Sequence, residues 1–276
     1  MKIFLVTPSF NSEKTIEQTL ASVLNQFHPE SIHYHVQDGG SQDSTIAILE
    51  AWKMRFRNRG ISFSFCSEND GGMYEAIVKG FDKFRPEDND WMAWINSDDQ
   101  LSGLFSYTLH KMQKSIFWIT GKPAIIQKNG TMTTLDRYYS TELVSSGLCN
   151  GKNWFFVQQE GTAWRYAAWR STHSASTLVK YKYAGDFHLW VNLAKKYELF
   201  QCSYPMGFFN IRDGQASQAF WDKYVQEMLE TSPETSQLCK KHKVNYVSSR
   251  NKEIELNVVN INISSNKEYQ MESYSV

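Results

Sequence analysis

Carboxylates stand directly after short apolar runs in the first hundred residues of this 276-residue chain. Asp38 follows the run at residues 32–36, Glu68 and Asp70 follow the run at 61–65, and Asp98-Asp99 follow Trp91-Met92-Ala93-Trp94-Ile95. A fourth run, Ile3-Phe4-Leu5-Val6, gives way to the polar segment Thr7-Pro8-Ser9-Phe10-Asn11. Any one Asp in such a place reads as a turn or cap residue. Four loaded ends together point to a site. Carboxylate oxygens clustered without sulfur or imidazole suit a hard cation such as Mg2+ or Mn2+, which needs one or two carboxylates when substrate phosphates complete its shell. Asp98-Asp99 is the expected source of that ligand. The alternative for this pair is the cap of a helix beginning near Leu101.

The elements that would bring these ends together follow from periodicity. Residues 3–6 are expected as a first strand, followed by a helix capped at Asn11 or Ser12 with Ile16, Leu20, Val23, Leu24 and Phe27 on one face. Ile32, Tyr34 and Val36 alternate as a second strand, and Thr45, Leu49, Trp52 and Phe56 recur at helical spacing. Ile61, Phe63 and Phe65 give a third strand, Met73, Ile77, Phe81 and Phe84 a third helix, and residues 91–95 a strand buried on both faces. Strands alternating with helices make an open, mostly parallel sheet, whose ligands sit at the carboxyl ends of the strands. Further on, residues 116–119 read as a strand and Asn129-Gly130 as a hairpin turn. Asp186, Leu189, Trp190, Leu193 and Tyr197 share a helix face, and residues 221–238 read as a helix. From about Asn251 the chain alternates Ile, Leu and Val with Asn and Ser, as a strand pair or a loose tail.

Composition narrows the classes of function. Hydrophobic residues make up 41% and charged residues 21%, and 29 basic against 29 acidic side chains leave a formal net charge of zero. That balance gives no electrostatic case for nucleic acid. Cys66, Cys149, Cys202 and Cys239 are far apart, with no Cys-x-x-Cys pair, so reduced, core-filling thiols in a cytoplasmic protein are expected rather than a zinc site or disulfides. The apolar run after Lys2 is too short for a secretion signal, and no stretch approaches membrane-spanning length. Peripheral association, at the inner face of the membrane, is left open. Neither a Gly-x-Gly-x-x-Gly fingerprint nor a P-loop is present, which disfavours a dinucleotide cofactor and P-loop chemistry.

The motifs in order carry a specific resemblance. Thr7-Pro8-Ser9-Phe10-Asn11, Ser22-Val23-Leu24-Asn25-Gln26 and Gln37-Asp38-Gly39-Gly40-Ser41-Gln42-Asp43-Ser44-Thr45 resemble the start of family 2 glycosyltransferases with the GT-A fold. Ser67-Glu68-Asn69-Asp70-Gly71-Gly72-Met73-Tyr74-Glu75-Ala76 and Asn96-Ser97-Asp98-Asp99 resemble the branch that builds bacterial surface polysaccharides. The likeness returns at Gln159-Glu160-Gly161-Thr162-Ala163-Trp164-Arg165, at Ala184-Gly185-Asp186-Phe187-His188-Leu189-Trp190 and at Gly214-Gln215-Ala216-Ser217.

The resemblance implies a Rossmann-like GT-A α/β domain over residues 1–220, with a nucleotide-binding half at 1–100, an acceptor-binding half at 101–220 and a small extension at 221–276. It implies an inverting, metal-dependent transfer of a sugar from a nucleotide-sugar, with uridine the expected base. The receiver would be a saccharide or lipid-linked saccharide hydroxyl. Thr7, Pro8 and Asp38 would hold the base, Asp70 would add base or ribose contacts, and Asp98 would face the ribose or donor sugar. Asp99 would bind Mn2+ or Mg2+ at the diphosphate, and Asp186 would be the general base. Gln159, Glu160, Trp164 and Arg165 would line the donor-sugar and acceptor side. For Asp186 the alternative is a plain helix N-cap.

The chain departs from the family pattern in two places. Val78-Lys79-Gly80 replaces a common Asn-Lys-Gly, and Arg212-Asp213 stands where many relatives carry His before Gly-Gln-x-Ser. Arg212 can neutralise phosphate in place of that His. Two rival functions are a sugar-phosphate nucleotidyltransferase, which needs a basic Gly-rich loop that Ser9-Phe10-Asn11 does not supply, and a non-catalytic nucleotide-sugar-binding module, which needs no base.

Overall fold

The computed structural model describes residues 1–215, 219–230, 241–250, 253–263 and 269–273. The first half alternates as the periodicity predicts: β1 (Ile3–Ser9), α1 (Ile16–Leu24), β2 (Ile32–Asp38), α2 (Thr45–Arg59), β3 (Ser62–Ser67), α3 (Met73–Asp82) and β4 (Trp91–Trp94). Then come β5 (Gln100–Leu101), α4 (Phe105–Lys111), β6 (Trp118–Thr120), β7 (Ala124–Ile126), β8 (Met132–Thr134), α5 (Thr141–Ser145) and β9 (Ala163–Arg165). The remaining elements are α6 (Tyr166–Ser171), α7 (Ser174–Lys180), α8 (Gly185–Ala194), β10 (Leu199–Cys202), β11 (Gly207–Asn210), α9 (Trp221–Leu229), β12 (Lys241–Arg250), β13 (Glu253–Ile263) and β14 (Tyr269–Ser273).

Among the described residues, one sheet of ten strands runs β14-β13-β12-β10-β6-β9-β4-β1-β2-β3. β3, β2, β1 and β4 are parallel, as are β6, β10 and β12. β9 runs antiparallel between the two groups. Consecutive parallel strands need crossover helices, and α1, α2 and α3 supply them. A second sheet, β5-β11-β7-β8, lies beyond the end of β4, and its β7–β8 hairpin turns at Asn129-Gly130.

Two apolar layers flank the sheet. One joins Ile3, Leu5, Ile16, Leu20, Tyr34, Leu49 and Phe56. The other gathers Trp94, Trp118, Trp164 and Trp190 with Ile77, Phe81 and Leu189.

Several expectations are corrected. Phe27 is exposed, because α1 ends at Leu24 and the face it was to share stops one turn earlier. No side chain caps α1; the carbonyl of Ser12 accepts from the amides of Thr15 and Ile16 instead. Residues 100–101 form a strand and the next helix starts at Phe105, so Asp98-Asp99 cap nothing. The helix expected over 221–238 is described to Leu229, and residues 231–240 lie outside the described part. Of the two readings of the C-terminal segment the strand pair holds: its strands are antiparallel, and β12 pairs in parallel with β10, so they continue the main sheet.

Candidate functional site

The sheet brings Ser9, Asp38 and Ser67 into register at the carboxyl ends of β1, β2 and β3. Asp38 is buried, and its Oδ2 accepts from the amides of Gly40 (3.1 Å) and Ser41 (2.8 Å) and from Ser67 Oγ (2.7 Å). Its Oδ1 accepts from Ser41 Oγ at 2.5 Å. The carboxylate therefore holds the Gly39-Gly40-Ser41 turn and keeps little capacity beyond one lone pair on Oδ1. Asp70 lies half-exposed against this turn: a Cβ on Gly39 would stand 3.0 Å from its Oδ2. Burial, with Glu75 and Asp38 adding repulsion, pushes the Asp70 carboxyl up. Thr7 and Pro8 are buried in β1, the Thr7 hydroxyl lying 2.9 Å from that of Tyr34. The neighbouring Ser9 Oγ is buried with no partner.

Residues 96–106 are stapled to α1 by a polar stripe. Thr19 Oγ1 donates to the carbonyls of Asp99 (2.7 Å) and Asn96 (3.3 Å), and Ser22 Oγ accepts from Leu101 N at 3.1 Å. Gln26 donates to Ser102 O at 2.8 Å and accepts from Ser106 N at 3.0 Å. Positions 19 and 22 share one side of α1, and Gln26 follows just past its end. Ser22 and Gln26 belong to a motif that the sequence singled out without a role. Their role is to fix the segment carrying Asp98 and Asp99.

Asp99 is 1% exposed, and its oxygens accept from Asn210 N (2.9 Å) and Asn96 Nδ2 (3.3 Å). Its carboxyl meets that of Glu160, itself buried. Burial is the first cause that pushes both up, Asp99 well above the carboxylate range and Glu160 to about 7; the charges of Glu160 and Asp98 add to it at Asp99, and those of Asp98 and Asp186 at Glu160. Two buried carboxyls in contact cannot both ionise without a proton or a cation between them. Gly161, at φ 82°, lets this corner form, since a Cβ there would stand 2.4 Å from Gly207 N on β11. Asp98 pairs with Arg212 at the mouth, Arg212 Nε donating at 2.8 Å. A cleft of about 810 Å³ opens beside this pair, between α1 and the β7–β8 hairpin.

The residues expected on the sugar side divide. Gln159 Nε2 donates to Trp94 O at 2.6 Å, and its Oε1 is buried with no partner, as is Asn96 Oδ1. Both lie next to the Asp99–Glu160 pair in sequence or by hydrogen bond. Trp164 and Arg165 are elsewhere. β9 runs antiparallel to β4, so Arg165 pairs with Trp91 at the strand's amino end, away from the carboxylates. Its guanidinium donates to the carbonyls of Asn89 (2.6 Å), Ile116 (3.2 Å), Gln113 and Met112, and lies 3.8 Å over the Trp91 ring. Trp164 is fully buried, its ring 5.3 Å from Trp94 and 5.6 Å from Trp190. Both residues are core.

Asp186 sits in the first turn of α8, but it is not its N-cap; that residue is Ala184. The amides of Lys182, Tyr183 and Ala184 are taken by the Glu227 carboxylate of α9 at 3.1, 2.8 and 2.8 Å. The Asp186 carboxylate is held by the hydroxyls of Tyr74 (3.0 Å) and Tyr224 (2.9 and 3.1 Å) and by Phe187 N (2.8 Å). Burial pushes its pKa up against the pull of these donors. Gly185 admits Tyr74, whose ring a Cβ there would meet at 2.9 Å. Tyr74 and Tyr224 are the functional neighbours that sequence reasoning missed. Tyr74 stood in a quoted motif; nothing marked Tyr224.

Among the described residues no group of three His, Cys, Asp or Glu is set to hold a metal. The donor chemistry at the end of β4 nevertheless fits a hard cation. It offers two carboxyls short of a counter-charge and two buried amide oxygens without partners, all oxygen. Ala216 and Ser217 lie outside the described residues. No helix among the described residues is long and apolar enough to cross a membrane.

Known proteins place this arrangement. The chain is 31% identical over 101 residues to an uncharacterized glycosyltransferase of Mycobacterium tuberculosis (strain ATCC 25618 / H37Rv), a match covering 37% of this chain and 35% of the relative. It thus spans about a third of the length of the curated relatives it matches. Its fold is that of GT-A glycosyltransferases. Residues 1–349 of S. aureus TarS, in complex with UDP-GlcNAc, superpose with a TM-score of 0.58 at 15% identity, over 86% of this chain and 69% of that one. The mannosyltransferase PcManGT from Pyrobaculum calidifontis, in complex with GDP-Man and Mn2+, gives 0.53 at 11% identity, over 83% and 62%. The model of glycosyl transferase family 2 matches residues 4–144, just over half of the sequence, and the chain belongs to that family.

Proposed function

We propose that this protein transfers a sugar from a nucleotide-sugar, a UDP-sugar by preference, to a hydroxyl of a saccharide or lipid-linked saccharide, inverting the anomeric centre. The setting would be assembly of a bacterial surface polysaccharide, in the cytoplasm or at the inner membrane face. The observation that carries the reading is the meeting of Asp99 and Glu160, the latter within electrostatic reach of Asp186. One corner would thus hold the diphosphate's counter-charge, and the other would take the acceptor's proton.

Asp99, with Glu160 beside it, would hold Mn2+ or Mg2+. Such an ion supplies Lewis-acid stabilisation of the charge that builds on the departing diphosphate. Arg212 would turn its guanidinium from Asp98 to a phosphate oxygen, a pairing its planar fork suits. Asp38, Asp70 and the main chain at Thr7 and Pro8 would enclose base and ribose. Gln159, with its free Oε1, would face the donor sugar with Asp98. Asp186 would accept the proton of the acceptor hydroxyl as that oxygen attacks. Its raised pKa moves it toward working pH, where a general base is most effective. Tyr74 would hold it in place.

The test is a thermal-shift panel of nucleoside diphosphates and nucleotide-sugars, with and without Mn2+. Binding to the folded state raises the melting temperature with the logarithm of ligand over Kd. A Mn2+-dependent shift with one nucleotide family is expected; no shift with any of them would sink the reading. NMR of the product then decides the stereochemistry, and a retained anomer would exclude single displacement.

A further inference from the structure

Helix α9 presents aromatic rings to solvent beside Asp186. Phe220 and Trp221 are 42% and 43% exposed, although most large apolar side chains of the molecule are buried. Trp221 stacks on Tyr224 (6.2 Å, 10°) and meets Phe156 edge-on at 5.4 Å. Phe220 lies 5.4 Å from Tyr183, and Lys223 Nζ stands over both rings, 5.4 Å from Phe220 and 5.6 Å from Tyr183. One turn further along the helix, Tyr224 donates to both oxygens of Asp186. Glu227 then fixes α9 to the start of α8.

This surface continues into the carboxylate. Sugars present alternating faces: hydroxyls at the rim, and axial C–H groups that pack on aromatic rings. Exposed rings grouped next to a half-buried acid, with Lys223 beside them, match that chemistry. They do not match an apolar protein partner, which would need a larger dry patch.

We propose that Phe220, at the N-cap of α9, with Trp221 and Tyr224 of the helix forms the acceptor subsite, a stacking platform for a pyranose ring. The ring would lie on Trp221 and Phe220 and direct one hydroxyl to Asp186, at the position the Tyr224 hydroxyl now fills. Tyr224 swings aside or becomes the second donor to the same carboxylate. This rests on the reading of Asp186 as the general base. It makes Trp221 a residue that selects acceptors, without a part in bond breaking.

The experiment measures transfer from the nucleotide-sugar selected by the thermal-shift panel to a series of p-nitrophenyl pyranosides. Trp221→Ala should raise the KM for the accepted pyranoside about tenfold, the worth of one good ring contact. kcat should fall by less than that, and the donor KM should stay within ~twofold. Phe220→Ala should raise the same KM by about threefold, and Trp221→Phe should restore most of the wild-type value. Because the Phe220 ring lies against Tyr183 and Lys223 and has no ring contact with Trp221 among the described residues, its variant reads the platform even if removal of Trp221 disturbs α9. Asp186→Asn should instead lower kcat and leave this KM nearly unchanged.

Unchanged acceptor KM in both aromatic variants, with kcat lost in Asp186→Asn, would overturn the subsite and leave the base standing. Wild-type transfer by Asp186→Asn would remove the base and the subsite with it. Donor hydrolysis by the wild type with transfer to no pyranoside would also overturn the subsite.

Discussion

On the proposed donor side, Asp38 draws its four hydrogen bonds from Gly40, Ser41 and Ser67, at most 29 positions away. On the proposed acceptor side, Asp186 draws on Tyr74, 112 positions before it, and Tyr224, 38 after. Asp99 likewise depends on Asn210, 111 positions on, and Asp98 on Arg212, 114 on. The first set is made by strand-to-helix turns that form with the β–α units themselves. The second exists only once the whole sheet has closed. Under the proposed assignment, donor recognition would be local and preformed, while the chemistry would sit where distant segments meet. Substitutions on the two sides should separate binding from turnover.

The largest effect is expected at Asp186. Asp186→Asn keeps the acceptors for Tyr74, Tyr224 and Phe187 N on one oxygen, so the fold and nucleotide affinity should persist. Transfer should drop by roughly 10²–10⁴-fold, the usual worth of a general base. Near-normal steady-state transfer would erase the contrast. At the seam between the sides, Asp99→Asn should abolish the Mn2+-dependent part of donor binding in calorimetry. Asparagine still accepts from Asn210 N, so circular dichroism should show an intact fold. Undiminished Mn2+ dependence would move the metal off Asp99.

A purely donor-side change should act on donor binding and on stability, and little on turnover. Asp38→Ala leaves the Gly40 and Ser41 amides and two hydroxyls without their acceptor. Loss of charged hydrogen bonds of this kind costs roughly 1.5–3 kcal/mol. Nucleoside diphosphate affinity should fall correspondingly, and saturating kcat should change much less. An equal loss in kcat would show that the donor turn is coupled to the chemistry.

The smallest effect is a pH slope. Burial raises the folded-state pKa of Glu160 to about 7 from an ordinary 4.5, and Asp99 is raised with it. Between those values the folded chain keeps a proton that the unfolded chain has released. Stability in chelator should therefore be full below about pH 4.5 as far as this pair is concerned, and should decline as pH rises toward 7. Glu160→Gln should flatten the decline in the melting temperature. A rise over that range attributable to Glu160 would mean that the pair is ionised and separated.

Legibility in the sequence followed the same divide. Strand ends at Asp38, Asp70 and Asp98-Asp99 were readable because a strand of period two and a helix of period 3.6 announce where one ends and the other begins. The buried faces of α1 and α2, Ile16, Leu20, Val23, Leu49, Trp52 and Phe56, followed from the same counting. Trp164 and Arg165 were misplaced because β9 runs antiparallel, so a residue late in the motif lies at the far end of β4. Direction is a property of the neighbouring strand, absent from local spacing. Tyr224 and Glu227 were invisible for a related reason: a residue that serves a helix from another helix leaves no periodic mark on either.

The indole cluster of the second core layer has an optical consequence. Trp94, Trp118, Trp164 and Trp190 lie with neighbouring ring centres 5.3–5.9 Å apart, and Trp169 joins them 5.8 Å from Trp164. Rings so close share excitation, giving exciton-split bands in circular dichroism and strongly quenched emission. All nine tryptophans lie among the described residues, and Trp221 is the one whose ring is open to solvent. The red edge of the fluorescence therefore belongs to α9, and the split dichroism belongs to the core. One sample carries two separate optical channels, one for the surface beside Asp186 and one for the fold that supports it.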